Sequence, residues 1–141
     1  MAVNEAIVHA PLATVWGVLE DPYAYPKWVV GTDRTVEADA DWPEPGSKFK
    51  VHIALGYSDF THSEQVQPEK RIVLNAAGGM LGAARIEIDL HEVADGTKIR
   101  LTETPAGILA PLKALPPMHW AIKLRNVESL RRFKRLAESR R

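Results

Sequence analysis

Apolar residues recur with a period of two through most of the middle of this chain and with helical spacing near both ends. Phe49, Val51, Ile53 and Leu55 alternate with Lys48, Lys50, His52 and Ala54, and Ala84, Ile86, Ile88 and Leu90 alternate with Arg85, Glu87, Asp89 and His91. Each run predicts a strand with one apolar and one wet face. The segments Thr35–Asp39, Ser58–Val66 and Arg71–Ala76 fit the same period, and Lys98–Thr104 follows Asp95-Gly96, a hairpin signal. With a first strand over Val3–His9, closed by Ala10-Pro11, the pattern predicts seven strands, mostly an antiparallel meander.

The flanking segments read as helices. Pro11 suits a first helical position, and Val15, Trp16, Val18 and Leu19 form an apolar face before Asp21-Pro22 stops it. A second short helix is expected over Tyr23–Val30, ending at Gly31. After Pro116-Pro117 nothing from Met118 to Arg140 breaks a long helix. On it Trp120, Leu124 and Val127 share one face, Leu130, Phe133 and Ala137 drift to the next, and Met118, Ala121 and Ile122 flank or oppose Trp120. The first half of this helix is therefore expected to need cover on more than one side. One curved sheet supplies one side, which leaves room for a void between sheet and helix. The preceding segment Ala106–Pro117 is apolar where connections are usually polar. It either packs on the start of the helix or forms a lid hinged at Gly107.

Composition narrows the class. A chain of 141 residues fits one domain, residues 1–141, with a sizeable core. It contains no cysteine, which removes disulfides, thiolate zinc, iron–sulfur clusters and a cysteine nucleophile. No long apolar run suggests membrane insertion, and MAVNEAIVHAP lacks the continuous apolar stretch of a secretory signal, so a soluble cytoplasmic protein is expected. The formal charge is zero but unevenly spread: residues 1–122 carry ten Lys/Arg against sixteen Asp/Glu, and residues 123–141 carry eight against two. We read the basic end as a solvated helix face meeting an acidic body, with no nucleic-acid partner. Gly78–Ala84 lacks the Lys-Ser/Thr of a phosphate loop and reads as a connection between strands. His9, His52, His91 and His119 have no metal-binding spacing, so neither a metal nor a cofactor is expected.

The stretch VHAPLATVWGVLEDPYAYPKW, Val8 to Trp28, resembles the N-terminal signature of the START-related SRPBCC superfamily, in particular its polyketide cyclase/dehydrase and lipid-transport branch. GSKFKV from Gly46, QPEKRIVL from Gln67, GTKIRLT from Gly96 and the closing amphipathic helix follow in the right order. The resemblance implies an α+β helix-grip fold, with seven antiparallel strands wrapped around the C-terminal helix and two short helices after the first strand. It also implies a hydrophobic ligand in a tunnel between the sheet and that helix.

Strand parity nominates the site, because a half-buried strand sorts side chains by face. In Phe60–Val66, alternation sets His62 and Glu64 with Phe60 and Val66; in Ile99–Glu103 it sets Glu103 with Ile99 and Leu101. Alternatively the fourth strand faces the other way, with Thr61 and Ser63 inward. The expected walls are Phe49, Val51, Ile53, Phe60, Ile86, Ile88 and Leu101, with Trp120, Leu124 and Val127 from the helix and Trp28 at the rim. His62, Glu64 and Glu103 would orient a polar end. Two functions follow from this set: binding or transport of a lipid or polyketide-like molecule, or an aromatic polyketide cyclase or dehydratase in which His62 moves a proton and Glu64 or Glu103 sets its charge.

Overall fold

The computed structural model describes residues 1–54, 56–79, 82–107 and 110–141. Leu55, expected to extend the third strand, lies outside the described residues, as do Met80 and Leu81 of the Gly78–Ala84 connection.

The chain runs β1 (Ala2–Val8), α1 (Leu12–Glu20), α2 (Tyr25–Trp28), β2 (Thr32–Ala38), β3 (Lys48–Ile53), β4 (Tyr57–Gln67), β5 (Arg71–Gly79), β6 (Gly82–Val93), β7 (Gly96–Pro105), α3 (Ala110–Lys113) and α4 (Pro116–Ser139). One seven-stranded sheet has the order β1-β7-β6-β5-β4-β3-β2, with every neighbouring pair antiparallel. Strands β2 to β7 are a meander, while β1 closes the opposite edge by pairing with β7. The two short helices therefore carry the chain from one edge of the sheet to the other, and α4 packs chiefly on β1 and α2. This is an α+β helix-grip arrangement.

Helix α1 buries Val15, Trp16, Val18 and Leu19, the face expected from their spacing. Helix α2 is a single turn, shorter than the expected Tyr23–Val30, because Gly31 and Pro26 leave room for little more. Its Tyr25 joins Trp42 and Phe49 in an aromatic cluster, with ring centroids 6.0 Å and 4.8 Å away. The Tyr25 hydroxyl donates to the Leu19 carbonyl at 3.0 Å, and Trp42 Nε1 donates to the same oxygen at 3.3 Å. Both satisfy a carbonyl that the end of α1 leaves open. Burial, with Asp21 adding to it, pushes the Tyr25 phenol far above its ordinary pKa.

The hairpin signal at Asp95-Gly96 sits in the turn between β6 and β7, where Gly96 has φ of +146°. A Cβ there would fall 2.1 Å from the Val8 carbonyl oxygen, so the end of β1 closes on this turn only because glycine occupies it.

Helix α4 turns inward a stripe other than the expected one. Ile122, Asn126, Ser129, Leu130, Phe133 and Ala137 are buried, whereas Trp120, Leu124 and Val127 are 58%, 68% and 45% exposed. The concave sheet offers a single face, so only one stripe of the helix can be covered. That stripe contains two polar residues, while an uncovered stripe beside it is apolar.

Candidate functional site

A cavity of about 100 Å³ lies between the sheet and α4. Its floor is built from positions on successive strands: Val51 and Ile53 of β3, Asp59 and Thr61 of β4, Leu74 and Ala76 of β5, Ala84 and Ile86 of β6, Leu101 and Glu103 of β7. Tyr25 and Trp28 close it from α2, and Arg125, Asn126 and Ser129 from α4. The space exists because Ala76 and Ala84, which pair across β5 and β6, are too small to reach the helix.

One end is polar. Glu103 is 3% exposed, and its Oε1 accepts from Nη2 of Arg125 and from Nδ2 of Asn126 at 3.3 Å. Arg125 Nη2 also donates to Asn126 Oδ1 at 3.3 Å. The carboxylate is thus paired with an opposite charge and hydrogen-bonded, as a buried charge requires. Lys113 is buried nearby and donates through Nζ to the Ala83 carbonyl. Burial lowers its pKa, Glu103 pulls it back up and Arg125 pushes it further down. Ser129 Oγ accepts from the Val30 amide at 3.2 Å and so ties α4 to the segment after α2.

Trp28 supplies an unusual feature. The indole is 3% exposed, stands edge-on to Phe133 at 5.0 Å, and its Nε1 has no hydrogen-bond partner. A buried donor left unpaired costs about 1–3 kcal/mol.

The expected site residues divide into three groups. Trp28, Val51, Ile53, Phe60, Ile86, Leu101 and Glu103 border the cavity, although the Phe60 ring stands 5.6 Å and 5.7 Å from the Lys48 and Lys50 ammoniums. Phe49 and Ile88 are buried in the core outside the cavity wall. His62, Glu64, Trp120, Leu124 and Val127 are not brought to it. For the helix residues the reason is the stripe turned inward by α4.

For β4 the reason is a register shift between Ser63 and Gln65. Thr61 pairs with the buried Phe49, and Ser63 with the buried Leu74, so Thr61 and Ser63 take the inward face. The bulge then inserts one residue, which returns Val66 to the core and leaves Glu64 exposed. Glu64 accepts from Asn75 Nδ2 and pairs with Arg85 at 3.2 Å on the outer face. His62 pairs with Lys48 across β3 and with Asn75 across β5. The inward alternative for this strand, Thr61 and Ser63, is the correct one.

Sequence reasoning missed Tyr25, Leu74, Ala76, Ala84, Arg125, Asn126 and Ser129. Extending parity through β5 and β6 finds Leu74, Ala76 and Ala84, and their small members signal the gap. No periodicity finds Arg125 and Asn126, because polar residues on a helix normally mark its wet side. Among the described residues no group of three His, Asp or Glu is arranged to hold a metal ion. Among the described residues no helix is long and apolar enough to cross a membrane.

Comparison with known proteins agrees with this fold. Residues 9–123 match the family described as Activator of Hsp90 ATPase homolog 1-like protein. The chain belongs to that family, and with it to the START-related SRPBCC superfamily. Solved structures of the same fold include protein NE0264 of Nitrosomonas europaea, with a TM-score of 0.76 at 16% identity over 99% of this chain and 94% of that one. Protein MLL2253 of Mesorhizobium loti has a TM-score of 0.74 at 15% identity over 98% and 96%. DynU16, from the dynemicin biosynthetic locus, has a TM-score of 0.73 at 18% identity, covering 97% of this chain and 46% of that one. No curated protein matches the sequence.

Proposed function

We propose that this protein binds a small hydrophobic or amphipathic molecule, of the lipid or polyketide-like kind, in the cavity between its sheet and α4. The observation that carries the reading is the pairing of a mostly apolar lining with a few polar groups, chief among them the hydrogen-bonded Glu103–Arg125–Asn126 cluster, in a wall that also includes Trp28, whose N–H is unpartnered. This is the make-up of a ligand pocket: mostly apolar walls with a few convergent polar groups that fix orientation. At about 100 Å³ the space is smaller than the engineered cavities of roughly 150 Å³ that hold benzene. A larger guest requires α4 or α2 to move outward.

An acid–base enzyme of the cyclase or dehydratase kind would retain Glu103 but lose its proton carrier, since His62 does not border the cavity. Binding is therefore the reading we adopt. Titration with a panel of fatty acids and polyphenols tests it, read by tryptophan emission and thermal midpoint. A ligand that shifts both supports the proposal, and a panel that moves neither refutes it.

A further inference from the structure

The apolar residues that α4 leaves uncovered do not stand alone. Pro111, Leu112, Ala114, Leu115, Pro116 and Pro117 are all exposed just before them, in α3, the turn into α4 and its first two positions. Leu112 and Leu115 are 55% and 51% exposed, and Trp120, Leu124 and Val127 continue the surface along α4. Among the described residues of this segment only Lys113 is buried, and its side chain reaches the Ala83 carbonyl of β6 rather than the start of the long helix. Ile108 and Leu109 of the segment lie outside the described residues. A corner carrying this many large apolar side chains exceeds the scattered exposure normal for a surface.

Charge says what covers it. Between Glu103 and Glu128 there is no acidic residue, in a chain that is otherwise acidic up to residue 122. The same helix face carries Lys123, whose ammonium stands 5.6 Å over the Trp120 ring, and then Arg131 and Arg135 one and two turns past Val127. Glu128, paired with Arg131 and Arg132, is the only carboxylate between them. Apolar residues with an amphipathic tryptophan, flanked by cations, match the interface of an anionic bilayer. A second copy of the chain fits less well, since a twofold contact through this face sets Lys123, Arg131 and Arg135 against their own counterparts.

We propose that the α3–α4 corner docks on an anionic lipid surface, with Leu112, Leu115, Trp120 and Leu124 entering the interface and Lys123, Arg131 and Arg135 meeting the head groups. The proposal goes beyond ligand binding and does not depend on it. Helix α4 supplies the polar end of the cavity from one face and this surface from another, so a docked molecule would hold its cavity directly behind the bilayer contact.

Cosedimentation with vesicles of phosphatidylcholine alone, and of phosphatidylcholine with phosphatidylglycerol, tests it. The protein is expected to pellet with the anionic vesicles, less as salt rises, and its emission to shift to the blue. Trp16, Trp28 and Trp42 are already buried, so that shift reports Trp120. The double variant Leu124→Ser/Val127→Ser should lower partitioning roughly tenfold or more while keeping the reporter and the unfolding midpoint. Lys123→Glu/Arg131→Glu, a second and independent variant, should abolish the preference for phosphatidylglycerol. The proposal is overturned by absence from both pellets, by binding that survives both variants, or by a concentration-dependent dimer lost in Leu124→Ser/Val127→Ser without lipid partitioning.

Discussion

Arg125 reaches from α4 across the gap to the carboxylate of Glu103 on β7, and Asn126, the next residue, donates to the same oxygen. This contact joins helix to sheet at the point where apolar packing is interrupted by the cavity. The Glu103 side chain is 4% exposed and that of Arg125 21%. Removing one partner strands a buried charge, whereas removing both strands none. Arg125→Met is expected to lower unfolding free energy by about 3 kcal/mol, and Glu103→Gln/Arg125→Met to recover most of it. Urea denaturation of the three proteins decides this. Equal losses in the single and double variants would contradict it.

Gly96 is the second position where one side chain decides the outcome. Its φ of +146° and the 2.1 Å approach of a built Cβ to Val8 leave no room for alanine. Gly96→Ala should destabilise by more than about 2 kcal/mol, because it combines an unfavourable backbone conformation with displacement of β1 from β7. A thermal midpoint equal to wild type would show that the turn relaxes freely.

The last turn of α4 carries a pH-dependent contact. Hydrogen bonds from Lys134 and from the His9 amide, the latter at 2.8 Å, hold the Glu138 carboxyl below its usual range. A carboxyl whose folded pKa is depressed adds stability above its unfolded value and loses that stability as pH falls through the folded one. Stability should therefore decline on acidification from about pH 5 downward, and Glu138→Gln should flatten part of that decline while leaving the neutral-pH fold intact. Unfolding measured across the acid limb checks it, and parallel slopes in the two proteins would contradict it.

The sheet and the order of its elements are legible in the sequence because period-two alternation and Pro/Gly punctuation act locally, strand by strand. The same parity placed Glu103 correctly, since β7 pairs with β6 without interruption. It failed in β4, where one inserted residue between Ser63 and Gln65 reverses the face of every position before it relative to Val66. Nothing in the residue types announces that bulge. The α4 stripe was misread for a different reason. Helical hydrophobicity ranks Trp120, Leu124 and Val127 above a stripe that contains Asn126 and Ser129, yet those polar residues are inside because they bond to Glu103 and to the Val30 amide. Such partners come from distant parts of the chain, so they become visible only when helix and sheet are brought together.

A guest between the sheet and α4 is the claim on which the functional account stands, and native mass spectrometry tests it most directly. Wild-type protein and Ala84→Leu are compared as purified and after exposure to fatty acids. Ala84 lines the cavity and, with Ala76, is small enough to leave it open, so a leucine there should fill the space with little loss of stability. The account predicts a mass adduct on the wild type that is absent from Ala84→Leu. A bare wild-type mass under both conditions, or an adduct that persists undiminished in the variant, would contradict it.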